Sequence, residues 1–216
     1  MKLFSLIIFI VLLTSGCSTK LPPNQWQIQS AAAFESYTNN FLRGYDSVAA
    51  NDLRRSLEHA KAGGDFESLA RIYLGMCALN ISVGLQDDCG AYLEIEEFAN
   101  DSSLKSYYAL LQKKTDTMEP SLLPEAYKSF ALHLQKEEYA SAFTALEDTP
   151  ISSKLIGAAL LKEHLDIAQI ENILQSASFY GYKKSLLYWL GVLEEQSEST
   201  SEKEAIRKKT EILRKK

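Results

Sequence analysis

The sequence predicts an all-α protein built of stacked antiparallel helix pairs. Three observations lead there. Beyond the first two dozen residues, apolar side chains recur at spacings of three and four. β-Branched residues are scattered and strict alternation never lasts, so no strand is expected. Glycine, proline and N-cap residues break the helical pattern at intervals.

Taken in order, "WQIQSAAAFESYTNNFLRGYDSVAA" places Trp26, Ala33, Phe34, Tyr37, Phe41 and Tyr45 on helical spacing. "NDLRRSLEHAKAGG" carries Leu53, Leu57 and Ala60 on one stripe and ends on Gly63-Gly64. "DFESLARIYLGMCALNISVG" predicts a helix stopped near Gly84, and "CGAYLEIEEFAND" and "SLKSYYALLQKK" predict two more. Beyond Pro120, "PEAYKSFALHLQKEEYASAFTALEDTP" reads as two helices split near Lys136. "SSKLIGAALLKEHL" precedes "DIAQIENILQSASFYG", whose Asp166 and Gln169 have the spacing of a capping box. "YKKSLLYWLGVLEEQ" and "SEKEAIRKKTEILRKK" finish the chain, with Ser201 and Glu204 as a second expected box. The expectation is about ten helices of roughly 11 to 18 residues, each an ordinary length.

The amino end reads differently. Met1-Lys2 carries one positive charge, and "LFSLIIFIVLL" is an apolar run free of charge. It is shorter than the roughly 20 residues a membrane-spanning helix needs, and it has the layout of a secretory signal. Thr14-Ser15-Gly16-Cys17 resembles the lipobox of bacterial lipoproteins. That resemblance implies a signal peptide over residues 1–16, cut before Cys17, with the Cys17 thiol diacylated by chains such as palmitate and its new amino group acylated too. The alternatives are an ordinary secretory signal with an incidental cysteine, or an uncleaved signal anchor. Ser18, where many inner-membrane lipoproteins carry aspartate, implies the outer membrane, facing the periplasm. Several acyl chains give stable anchoring, since each buried methylene contributes about 0.8 kcal/mol. Residues 17–25, with Pro22-Pro23, read as the lipidated cysteine and an extended tether, and residues 26–216 as a single helical domain.

Net charge is −5, and losing Lys2 with the signal makes it −6. That mild acidity argues against nucleic acid, which asks for a basic footprint. Setting Cys17 aside leaves Cys77 and Cys89 as an even pair in an exported protein, where disulfides persist. A hairpin turning near Gly84 would set them opposite each other, and a bond there contributes about 3 kcal/mol on the chain-entropy view. Two buried free thiols are the alternative.

Short amphipathic helices bury their stripes by stacking. "YLGMCALNISVGLQDDCGAYLEI", with Leu74-Gly75, and "SLLYWLGVLEEQ", with Leu190-Gly191, resemble degenerate tetratricopeptide repeats. "GGDFESLARI" and "KEEYASAFTAL" resemble the turn and second helix of such units. The resemblance covers about half the chain without a clean 34-residue period. It implies a tetratricopeptide-like α/α solenoid; a helical bundle fits the same pattern.

Chemistry-bearing motifs are sparse. His59, His133 and His164 stand apart, no cysteine has metal-ligand spacing, and no nucleophile elbow, P-loop or dinucleotide fingerprint occurs. No enzyme, cofactor or metal is expected. Two features suggest contact surfaces. Phe179, Tyr180, Tyr182, Tyr188 and Trp189 crowd into eleven residues; such side chains favour protein contacts and stack on sugars, or else pack the last helices together. The tail "RKKTEILRKK" is basic, suited to anionic surfaces or to the helix dipole. The expectation is a membrane-anchored periplasmic lipoprotein acting as a protein-interaction scaffold for envelope assembly, secretion or cell-wall machinery. Glycan or small-ligand binding through residues 179–189 is the alternative, and a cell-wall hydrolase a third.

Overall fold

The computed structural model describes residues 24–215; Cys17, the signal segment and most of the tether lie outside them. Among the described residues there are eleven α-helices and no strand. They are α1 (Gln25–Arg43), α2 (Asp46–Gly63), α3 (Phe66–Ser82), α4 (Gly90–Leu93), α5 (Ser102–Leu111) and α6 (Glu125–Gln135). Then follow α7 (Tyr139–Thr144), α8 (Ile151–Leu160), α9 (Ile167–Phe179), α10 (Lys183–Gln196) and α11 (Thr200–Arg214). The all-α expectation holds.

Helix ends follow local chemistry. The first break falls at Gly44 rather than after Ala50, as the stripe alone had suggested. Gly44 takes φ +82°, and the N–H groups of Gly44 and Tyr45 cap Phe41 and Asn40. Asp65 caps α3 by accepting from the N–H groups of Glu67 and Ser68, and Asp101 caps α5 from Ser103. The Asp166–Gln169 capping box forms as expected, with both reciprocal bonds in place. The box expected at Ser201 does not form: α11 starts two residues earlier than that box would place it, at Thr200, with Ser199 as its N-cap. The stretch 89–101 is also not one helix. It makes only the single turn of α4 and a 3-10 turn at Glu96–Phe98.

A disulfide anchors the start of this stretch: Cys77 on α3 is bonded to Cys89, with Cα atoms 5.2 Å apart. Cys89 takes left-handed φ of +60° and leads directly into α4, and the helical path ends at Ile95, which sits at φ −125° and ψ 4° before the 3-10 turn. Asp87 holds the loop: its carboxylate accepts from Cys89 N–H at 2.8 Å and from Asn80 Nδ2 at 2.7 Å, and its carbonyl from Gln112 Nε2 at 3.3 Å. Asp87 is therefore a loop organiser.

Helix α3 is the hub. It packs on α1, α2, α4, α5 and α8, and Ala70, Leu74, Cys77, Ala78 and Leu79 on it are buried. A helix apolar on most faces belongs inside. Gly75 shows why one residue must be small: a methyl there would overlap the Phe34 ring of α1. Gly191, its counterpart in the second repeat-like segment, faces open space and needs no such smallness. The array also returns on itself. α10 packs on α1, with Tyr182 Oη donating to Asn39 Oδ1 at 2.9 Å and Lys184 Nζ 2.6 Å from Asp46. The same Lys184 Nζ lies 3.9 Å from the Phe41 ring centroid. The described helices thus form an all-α assembly of packed helix pairs in which α10 meets α1.

Candidate functional site

Closing α1, α3, α5, α6 and α8 around one another leaves a groove of about 320 Å³. Its apolar floor comes from Phe34 of α1, Gly75 and Leu79 of α3, Leu104 and Tyr107 of α5, and Ile156 of α8. Pro124 and Tyr127 close the α6 end, while Thr38, Ser103, Ser152 and Ser153 give a hydroxyl rim. The missing side chain of Gly75 lets Phe34 lie flat enough to form that floor. A second depression of about 350 Å³ between α1 and α3 shares Phe34 and Arg71 with the groove and adds Gln27, Ala31 and Ser68.

The electrostatics of the groove are quiet. Tyr107 and Tyr127 meet with ring centroids 5.6 Å apart and planes tilted by 36°, and burial pushes both hydroxyls above their ordinary pKa, so they stay neutral. Arg71 at the junction is already engaged, 2.7 Å from Asp101 and 3.6 Å from Glu67. Asp101 is held below the usual carboxylate range, first by its bonds from Ser103 and then by Arg71. A neutral, apolar floor with a hydroxyl rim suits contact with a chain segment that brings its own side chains and backbone groups.

The aromatic segment does not form one surface, which corrects the sequence expectation. Trp189 is fully buried, Tyr182 is buried in the α1–α10 seam, and Tyr188 packs its ring over Gly84 beside the disulfide turn. Gly84 accepts that ring because it has no side chain and sits at φ +77°. Only Phe179 and Tyr180 are exposed. They border a different, polar pocket with Glu147, Thr149, Lys154, Gln175 and Ser176.

The remaining residues singled out from sequence are dispersed. His133 Nδ1 lies 2.7 Å from Glu138, and His164 stacks on Tyr139 with centroids 3.5 Å apart. Cys77, Cys89 and Asp87 converge within 4.8 Å, but both sulfurs are committed to the disulfide. The basic tail lies on α11, where Ile206 is buried, Arg207 Nε pairs with Glu194 at 2.6 Å and Ile212 is exposed. No helix of the described residues is long and apolar enough to cross a membrane. Sequence reading missed Arg71, Tyr107 and Tyr127, which only packing brings together, and Lys154. For Lys154 a signal existed: it is a single charge leading into the apolar run "LIGAALL".

Comparison of the chain with known protein families, with curated proteins and with solved structures returned no match in any of the three.

Proposed function

We propose that the protein is a lipoprotein anchored through Cys17, whose helical body serves as an interaction scaffold in the cell envelope, taking a segment of a partner protein into the Phe34–Tyr127 groove. The observation that carries this reading is the groove itself: five helices supply an apolar floor and a hydroxyl rim, with a second depression beside it along α1–α3. Such a trough accommodates an extended or helical segment along its length. The signal-like amino end and the Cys77–Cys89 bond support an oxidising compartment outside the cytoplasm.

A photo-crosslinking residue placed at Thr38 or Ser103, on the rim, should capture a discrete envelope protein in the native host; one placed at Glu58, on the exposed face of α2, should not. Equal capture from both positions would end the groove assignment. Labelling cells with a radioactive fatty acid tests the anchor independently. Wild type should incorporate label and Cys17→Ser should not; label retained by the variant removes the anchor.

A further inference from the structure

Lys154 occupies an unusual place. It lies on α8 among buried residues, is itself 7% exposed, and yet carries an ammonium group. Buried ammonium groups are normally matched by a carboxylate, because an unpaired charge out of water is costly. Lys154 has no such match among the described residues. Its Nζ donates to Asn172 Oδ1 at 2.6 Å and to Ser176 Oγ at 3.3 Å, two neutral acceptors on α9. An ammonium has three N–H donors, so a donor is left over and the charge is in no ion-pair contact.

That surplus borders a pocket of about 320 Å³ between the α7–α8 connection and the end of α9. The pocket has two kinds of wall. Glu147, Thr149, Gln175 and Ser176 offer a carboxylate, hydroxyls and an amide. Phe179 and Tyr180 offer rings, and Phe179 is 84% exposed, with its ring meeting Tyr180 edge-on at 5.1 Å between centroids. An aromatic face left free beside a polar cleft is suited to the C–H face of a pyranose ring, whose hydroxyls the polar wall can bond. Ile151 is the sole aliphatic lining residue of this pocket, so it has no socket for an apolar peptide side chain. The ammonium, in no ion-pair contact and only partly offset by Glu147, then selects an anion, through a hydrogen bond strengthened by charge.

We propose that this pocket binds an acidic saccharide, its ring on Phe179 and Tyr180 and its carboxylate on Lys154 Nζ. The site is separate from the Phe34–Tyr127 groove and does not depend on it. Glu147 accepts from sugar hydroxyls, and its charge disfavours polyanions.

The test is calorimetric titration of the full-length chain in detergent with three probes: a glucuronic-acid disaccharide, its neutral glucose counterpart, and a short peptide with a free carboxyl terminus. The acidic disaccharide should bind about tenfold or more tightly than the neutral one, the difference expected of one charge-assisted hydrogen bond. Lys154→Met should erase that preference. Phe179→Ala, at a position too exposed to affect folding, should weaken both sugars and keeps the test decisive if Lys154→Met does not fold. Equal binding of the two sugars, preference for the peptide, binding of none of the three, or indifference to Phe179→Ala overturns the proposal.

Discussion

The aromatic residues of 179–189 divide at Gly181 into two groups with opposite fates. Before it, Phe179 and Tyr180 end α9 in solvent; after it, Tyr182, Tyr188 and Trp189 are locked into the packing of α10. Gly181 adopts φ +67°, which lets Tyr182 N–H cap the Ala177 carbonyl and sends the chain back antiparallel. A turn of one residue thus decides which rings hold the fold and which are free to meet something else. Side-chain type alone does not separate structure from surface here; the direction of the chain does.

The comparison can be broken most severely at Trp189. Trp189→Ala should cost about 3–5 kcal/mol in urea unfolding, as for other large core truncations. Trp189→Phe should cost much less, because the indole Nε1 has no hydrogen-bond partner among the described residues to lose. Next in size is the disulfide under Tyr188. Cys77→Ser with Cys89→Ser removes a bond between residues 12 apart in sequence, and should cost about 3 kcal/mol on the chain-entropy view. Tyr182→Phe deletes one bond across the α1–α10 seam and should cost about 1 kcal/mol. Asn39→Ala added to it should then change little, since the two share that bond. Phe179→Ala and Tyr180→Ala should both stay within about 0.5 kcal/mol of wild type. A cost above that would show that the exposed half also holds the fold.

A smaller effect is a slope rather than a loss. Burial holds the Lys154 ammonium below its ordinary pKa of 10.5, with the Glu147 carboxylate opposing in part. Between the lowered folded value and 10.5 the unfolded chain keeps a proton that the folded chain has released. Stability therefore gains with rising pH across that window, and Lys154→Met should flatten that contribution. Thermal melts of the two proteins across the alkaline range measure the difference.

The two cavities differ in the same way as the two halves of the aromatic segment. The Phe34–Tyr127 groove is an opening in the core, lined by what core helices naturally present. The Lys154 pocket is peripheral and polar, and holds an ammonium bonded to neutral acceptors, without an ion-pair contact among the described residues. The first was partly legible: Gly75 stood out as a close-packing residue, and Phe34 supplies the ring that needs it. Its other members come from α5, α6 and α8, helices whose mutual placement no local pattern specifies. Gly191 carried the same Leu-Gly signal as Gly75 and packs against nothing, because what makes a glycine necessary is the neighbour.

By itself the sequence determined the helical class, since apolar spacing and capping residues act within a few positions of one another. It also offered Cys77 and Cys89 as a pair, with two free thiols as the alternative, and the structure forms the bond across twelve residues. Tertiary structure decided the rest: the break of segment 89–101 after Leu93, the return of α10 onto α1, the burial of Trp189 and the exposure of Phe179. These depend on contacts between residues far apart in the chain, such as Asn39 with Tyr182. Local periodicity says which face of a helix seeks cover, and only packing decides which neighbour provides it.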